Sequence, residues 1–515
     1  RVAARERWLA VVAMLALAVP ALAAEEATRD AVAELPHLID EVRAAWGVPG
    51  VAVTVVQDGR VLYSGGVGRR DLEAGGEITS RTVFSVGSAT KAFTAAAVGM
   101  LVDEGAVKLD QPVRAYLPEF ELIDDYVAGH LTVRDLLAHR SGIERNDTVW
   151  YRSELDRRQL MERLRFLRPG LGLRERFQYN NLMYMVAGLI VERVTGGTWE
   201  EFVRRRILEP LGMSRSSFGM PPVGDRDVAQ PHALDWHGAV ITVPRYDGWA
   251  AGPALAIGSS AEDVGRWLQL LQGRGVFNGR RLLAEATVEE MFTPQMVISA
   301  LGQRELPISS YGLGWFVESY RGRLMVSHAG SIDGFYSIVV LLPSDQLGVV
   351  VLTNASQHRV PEVVSRWVID RFLGLPELDW NARFRAQDER QREERKAAEL
   401  AREAQRRAGT SPTLPAPALA GRYRHPAYGD MEIVAADDGG LSATFHGMMG
   451  PLEHFQDDVF LFKVQGWGLR EEFVVRFLYA SDGSVSSLLS TLQDGLPPEV
   501  FLRLGGGAEE APSSS

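Results

Sequence analysis

Apolar and polar positions along the chain fall into blocks of two different periods. Val51-Ala52-Val53-Thr54-Val55-Val56 is an almost unbroken apolar run. It stops at Asp58-Gly59 and resumes at Val61-Leu62-Tyr63, the pattern of a β-hairpin around a two-residue turn. A second hairpin is predicted where Tyr336 to Leu342 and Gly348 to Thr353 flank Pro343-Ser344-Asp345. Between the two hairpins the pattern is mostly helical, over 88–104, 132–139, 154–166, 180–195, 199–208 and 261–271. Strands at both ends with helices between them predict a fold of the α/β (α+β) class over residues 30–375. One mixed sheet would be closed by distant pieces of chain and would carry a helical insertion.

Beyond residue 375 the pattern changes. Residues 381–407 are rich in Arg, Glu, Gln and Ala and read as a solvated helix. The Pro-rich stretch Ser411 to Pro417 follows as a linker, so 376–418 reads as a connecting segment. Short strands with Gly/Asp turns then predict a small β-domain over 419–505. Asp437-Asp438-Gly439-Gly440 and Ser481-Asp482-Gly483 are its clearest turns. A polar tail, 506–515, is expected to be disordered.

The first residues read as a signal peptide, 1–23. Arg1, Arg5 and Arg7 precede the apolar run Trp8 to Val19, and Ala21-Leu22-Ala23 forms a small-residue cleavage site. The run is too short to span a bilayer. The expectation is a periplasmic or secreted protein, cleaved after Ala23, with no membrane span when mature.

Composition narrows the possibilities. With 515 residues, 46% hydrophobic and 23% charged, the chain is globular and has room for two or three domains. A net charge of -11 and the lack of a basic patch argue against a nucleic-acid partner. There is no cysteine, which excludes disulfides, thiol chemistry, thiolate metal sites and a lipid-modified Cys. An exported protein without disulfides must be held by its core, which this length permits.

The lysines carry more information. There are only four, Lys91, Lys108, Lys396 and Lys463, against 51 arginines. Lys91 stands in the apolar stretch Ala92-Phe93-Thr94-Ala95-Ala96-Ala97-Val98, three residues after Ser88. Residues at i and i+3 of a helix share a face, so hydroxyl and amine can touch. A serine hydroxyl becomes a nucleophile when a neighbouring base takes its proton. A lysine can be that base where burial or a nearby positive charge keeps it neutral, whereas an arginine cannot. Taken alone, Ser-x-x-Lys is short and equally describes a helix start whose lysine reaches water.

Two further motifs change that balance. Tyr179-Asn180-Asn181 follows the Pro169-Gly170 turn and opens a helix, and His328-Ala329-Gly330 lies on a strand after Trp315. The order Ser-x-x-Lys, Tyr-x-Asn, His-x-Gly resembles the penicillin-recognising serine hydrolases. That family includes class C β-lactamases, D-alanyl-D-alanine carboxypeptidases, D-aminopeptidases and related esterases. Several other segments fit the resemblance: Leu136-Leu137-Ala138-His139-Arg140-Ser141-Gly142, Leu109 to Val113, Glu209 to Met213, Ala251-Gly252-Pro253 and Tyr311 to Trp315. The match covers about residues 35–365. Gly421-Arg422-Tyr423, Pro426 and Tyr428-Gly429 are similar to the lipocalin-like barrel appended to some members.

The resemblance implies a β-lactamase-like antiparallel sheet flanked by helices, with a helical subdomain and a small C-terminal β-barrel-like domain. It also implies roles. Ser88 would form an acyl-enzyme, with Lys91 and Tyr179 sharing the work of general base. Which of the two takes the first proton stays open. Asn181, His328 and Gly330 would bind or orient the substrate. The backbone N–H groups of Ser88 and Ser331 would form the oxyanion hole, and Tyr179 would activate the deacylating water.

His139 reads as structural. His232 and His237 are five residues apart and do not share a helix face, so no metal and no cofactor are assigned. β-Lactamases usually carry Lys-Thr-Gly where this chain has His328-Ala329-Gly330. A histidine is mostly neutral at pH 7 and binds a carboxylate less firmly, which favours the peptidase and esterase branch. The expected function is an exported serine hydrolase acting on a D-amino-acid-containing peptide, a small amide or an ester. The rivals are a true β-lactamase and a catalytically idle cell-wall peptide-binding protein. The partner is thus a small-molecule or peptide substrate, with oligomeric state left open. The β-domain is expected to border the active-site mouth, because a 27-residue helical linker reaches about 40 Å at ~1.5 Å per residue.

Overall fold

The computed structural model describes residues 26, 28–220, 227–235, 238–246, 248–300, 302–465, 471–493 and 495–505. The expected signal peptide, His237 and the C-terminal tail lie outside the described residues.

The two predicted hairpins form, and they meet. β1 (Gly50–Gln57) pairs antiparallel with β2 (Arg60–Asp71), the register running from Gly50 opposite Gly68 to Gln57 opposite Arg60. Asp58 and Gly59 both hold positive φ, as a two-residue hairpin turn requires. β2 continues into β3 (Gly75–Glu77) at the sheet edge. The rest of the sheet comes from more than two hundred residues later in the chain. β4 (Met296–Ser299), β5 (Ser309–Tyr311), β6 (Phe316–Tyr320), β7 (Arg323–Ile332), β8 (Phe335–Leu342) and β9 (Leu347–Thr353) follow as a meander. β9 then pairs with β1, Thr353 opposite Val51, giving the order β4-β5-β6-β7-β8-β9-β1-β2-β3. All nine strands are antiparallel to their neighbours.

The near-continuous apolar strands are explained by layers on both faces of the sheet. Val51, Val53 and Val55 point into a core shared with α1 (residues 28–45) and α5 (Val360–Phe372). Ala52 and Val56 point into the opposite core, shared with α2 (Thr90–Asp103), α3 (Asn181–Thr195) and α4 (Ala261–Gln272). In α2 every residue from Thr90 to Leu101 is buried, so it is a central helix rather than an amphipathic one. α3 is buried from Asn181 to Val191 and ends at Gly196 in the left-handed region.

Two expected helices are divided. The 199–208 segment is α-helical only over Trp199–Val203 and widens into a π-turn over Arg204–Leu208. The widening precedes Pro210, which has no N–H to continue the ladder. The 154–166 segment is helical over Arg157–Arg163 and tightens into a 3-10 turn over Leu164–Phe166.

α6 (Trp380–Ala404) leads out of this domain with Trp380 as its one buried residue. The indole N–H of Trp380 bonds Asp370 at 2.7 Å and fixes the helix root. Eight antiparallel strands from Gly421–His425 to Glu499–Arg503 then close into a barrel, the last pairing with the first at Tyr423 and Arg503. Its interior is packed with Phe445, Phe460, Phe462, Phe473, Phe477 and Phe501.

Candidate active site

Ser88 sits in a 3-10 turn, Gly87–Ala89, immediately before α2. Lys91 follows in the first turn of α2, three residues on, which puts its side chain on the same face as Ser88. Lys91 Nζ lies 3.1 Å from Ser88 Oγ. Two glycines make room for this turn beside β7. Gly87 holds a φ of +51°, and a Cβ there would come within 2.9 Å of the Ser331 nitrogen. A Cβ on Gly330 would meet the Val86 carbonyl at 1.8 Å. Both positions therefore demand glycine, and the close approach places the Ser331 N–H beside the Ser88 turn. Ser337 Oγ donates to the Val86 carbonyl at 2.8 Å and ties β8 to the same turn.

Lys91 is fully buried. Besides Ser88, its Nζ meets Asn181 Oδ1 at 2.7 Å and the Ala254 carbonyl at 3.0 Å. It lies 4.7 Å from the Tyr179 ring centroid and 5.4 Å from that of Tyr184. Burial pushes its pKa well below the ordinary lysine value, and the Arg145 charge pushes the same way. Asp147 opposes them in part. Tyr179 is pushed upward by burial, while a hydrogen bond with Ser88 and the Arg145 charge pull it down. Amine and phenol are thus both biased toward their neutral forms.

Asn181 begins α3 but does not cap it. The cap is Asn180, whose Oδ1 accepts from the Met183 N–H at 3.1 Å and whose Nδ2 donates to the Glu144 carbonyl at 2.6 Å. Asn181 is left free to bridge Lys91 and Asp147, donating to Asp147 Oδ1 at 2.8 Å.

His328 lies on β7 and is buried. Its Nδ1 is 2.7 Å from the Ala329 carbonyl, which can only accept, so Nδ1 carries the proton. Nε2 then accepts from the Tyr311 hydroxyl at 3.0 Å. Burial and the neighbouring Lys91 lower its pKa to about 3. Both ring nitrogens are engaged, and burial and Lys91 disfavour the charged form of the ring that holds Tyr311. His139 is structural, as expected. Its Nδ1 accepts from the Asn180 N–H at 3.1 Å, and its ring packs 4.3 Å from that of Tyr179.

Sequence reasoning missed Arg145 and Asp147. They lie on the loop just after the Leu-Leu-x-His-x-Ser-Gly segment, where the chain has no periodic pattern. Arg145 stands 5.2 Å over the Tyr179 ring and pairs with Asp147. Their position after that segment was the only available signal.

Comparison with known proteins places the chain in a family. A family model described as beta-lactamase matches residues 35–371. The chain belongs to the beta-lactamase family. A second model, a domain of unknown function (DUF3471), matches residues 405–498, the segment after α6 and the barrel up to its last strand. An unguisins hydrolase of Aspergillus violaceofuscus is 30% identical over 448 residues, 78% of this chain and 77% of that protein. Among solved structures, the octameric penicillin-binding protein homologue of Pyrococcus abyssi aligns with a TM-score of 0.59 at 24% identity, over 91% of this chain and 99% of that one. A D-stereospecific amidohydrolase from Streptomyces aligns with a TM-score of 0.53 at 25% identity, over 68% of this chain and 99% of that one. This beta-lactamase-family protein is a serine hydrolase. Among its described residues no helix is long and apolar enough to cross a membrane.

Proposed function

We propose that this chain is an exported serine hydrolase whose Ser88 forms an acyl-enzyme with a D-amino-acid-containing peptide, a small amide or an ester. One observation carries the reading: a fully buried lysine amine within 3.1 Å of a serine hydroxyl, held there by two carbonyl oxygens. An ammonium would donate to all three neighbours. A neutral amine fits the same positions by donating to Asn181 Oδ1 and the Ala254 carbonyl while its lone pair accepts from Ser88. We assign the first proton to Lys91, whose burial disfavours its charged form, and the leaving group's proton to Tyr179, which burial biases to stay protonated.

The steps balance. Ser88 Oγ bonds to the substrate carbonyl carbon as its proton passes to Lys91 Nζ. The oxyanion is received by the N–H groups of Ser88 and Ser331, donors of a kind worth roughly 3–4 kcal/mol each. The bond to the leaving group breaks as Tyr179 gives that group its proton, and Lys91 returns one to Tyr179. Water then repeats the sequence in Ser88's former role, activated through the Tyr179–Lys91 pair, and frees the acid. Asn181 and Asp147 hold the amine in line throughout.

The likeness to a D-stereospecific amidohydrolase supports a D-configured amide, and the neutral His328 supports the peptidase and esterase branch over a β-lactamase. Export is proposed on the Arg-flanked apolar run at residues 8–19. The test is intact-protein mass after incubation with a fluorophosphonate probe. An adduct on wild type that is absent from Ser88→Ala supports the reading, and its absence from both returns the idle-binder rival.

A further inference from the structure

The β-barrel touches the catalytic domain at a loop that the proposed chemistry depends on. Residues 144–152 run between Asn180, whose amide grips the Glu144 carbonyl, and Asp333, two residues beyond Ser331. Tyr151 donates its hydroxyl to Asp333 at 2.6 Å, and Arg152 pairs with the same carboxylate. Within the loop, Asn146 is buried and holds a left-handed φ of 46°. Asn adopts that conformation more readily than most side-chain-bearing residues, and here its contacts hold it in place. It turns the chain so that Arg145 lies over Tyr179 while Asp147 reaches Asn181.

What fixes Asn146 from outside is the barrel. Tyr428, buried at a barrel turn, donates its hydroxyl to Asn146 Oδ1 at 2.7 Å. The Asn146 amide in turn donates to the Glu144 carbonyl at 3.0 Å. His446, on a second barrel turn, lies 3.2 Å from the Tyr151 carbonyl and 2.7 Å from the Tyr428 carbonyl. Arg163 reaches the Pro426 carbonyl beside them. The loop is thus held by the catalytic domain at both ends, and by one barrel turn at Asn146 and a second at Tyr151.

We propose that Tyr428 is a positioning residue for catalysis: through Asn146 the barrel fixes Arg145 against Tyr179 and Asp147 against Asn181, and so sets the reactivity of Ser88 toward small substrates as well as large ones. This rests on the reading of Ser88 and Lys91 given above. The barrel's contribution is then the placement of two charges beside the general base. Lys91 is faced by Arg145 and Asp147 from the loop, by His139 and His328, and by the phenols of Tyr179 and Tyr184. Of these, only the two loop charges are placed by the barrel.

The experiment compares full-length wild type, Tyr428→Phe and Arg168→Ala. Arg168 faces Glu499 of the barrel at 3.8 Å across the same interface, outside the loop. The readouts are the fluorophosphonate labelling rate, kcat and KM on p-nitrophenyl acetate across pH, and hydrogen exchange of amides 144–152. Tyr428→Phe should slow labelling and lower kcat about tenfold with KM unchanged, since small misplacements of catalytic groups carry costs of this order. The acid limb of its pH profile should move upward as Arg145 leaves Lys91, and exchange over 144–152 should quicken. Arg168→Ala should stay within about twofold of wild type in rate. Tyr428→Phe indistinguishable from wild type in all readouts, or matched in all of them by Arg168→Ala, overturns the proposal. If wild type takes no adduct, the Ser88 reading fails on its own. Exchange over 144–152 then still decides whether Tyr428 holds the loop.

Discussion

The catalytic cleft and the barrel interior are both buried, yet they are filled in opposite ways. Around Ser88 the chain buries Lys91, Asn180, Asn181, His139 and His328; the amine, both amides and the His328 ring find hydrogen-bond partners, while His139 is bonded at Nδ1 and not at Nε2. The barrel interior is mostly aromatic and aliphatic, with Tyr423 returning its hydroxyl to the Leu419 carbonyl at 2.7 Å. Buried polar groups cost stability unless paired, and pairing fixes their geometry. The first region gives up stability for a preorganised cluster, while the second is an apolar core whose functional contacts lie on its outer turns. Breaking each region should therefore leave a different signature.

The largest difference is expected at Ser88. Ser88→Ala should remove turnover and the fluorophosphonate adduct by many orders of magnitude while the melting temperature stays at or above that of wild type. Loss of a nucleophile in a hydrolase of comparable logic costs roughly 10⁶ in kcat. Residual turnover within about a hundredfold of wild type would remove Ser88 from the mechanism.

Lys91→Arg comes next. It keeps the positive charge but supplies a group that stays protonated and needs more room than the fully buried site gives. A fall of kcat on the order of 10³-fold is expected, in the middle of what a positioned base contributes. Retention of most activity would show that neutrality of the amine is not what matters.

These two residues were also the most legible in the sequence. A lone lysine in an apolar helix of an arginine-rich chain needs no tertiary information to stand out. The paired hairpins were legible too, because Asp58-Gly59 announces its turn. What could not be read were contacts made by irregular backbone. Arg145 and Asp147 acquire their meaning only once Asn146 is left-handed and Tyr428, from 282 residues away, bonds to it. Propensity gives no signal for such a loop, because tertiary contacts decide it. The 3-10 turn at Ser88 escaped for a related reason: it depends on Gly87 meeting Gly330 and Ser331 from a distant strand. The π-turn at Arg204–Leu208 sits in a segment whose apolar spacing reads as one helix.

The barrel gives the contrasting case. Phe477 is 1% exposed and packs edge-on against Phe460 at 5.4 Å. Phe477→Ala should cost about 3–5 kcal/mol of stability, the usual range for a buried aromatic truncated to a methyl. No titratable partner is removed, so the loss in urea denaturation should be the same at pH 6 and pH 9. A strongly pH-dependent loss would mean that the barrel interior is not the apolar core described.

The effect that separates the two regions most directly is a slope with pH. Lys91 has a folded pKa well below 10.5, its ordinary value, because burial and Arg145 disfavour its charged form. Between the lowered value and 10.5 the unfolded chain binds the proton and the folded chain does not. Stability therefore rises with pH across that window, and the penalty for burying the amine is fully present only below it. Lys91→Met keeps the length and removes the titration. Its absolute stability also reflects the carbonyl of Asn181 left without a donor, so the slope is the informative quantity. The difference in unfolding free energy, Lys91→Met minus wild type, should become less favourable to the variant as pH rises from 6 to 9, whereas the Phe477→Ala difference stays level. Parallel pH curves for wild type and Lys91→Met would mean that the lysine is charged in the folded protein, and the proton transfer from Ser88 would then need another base.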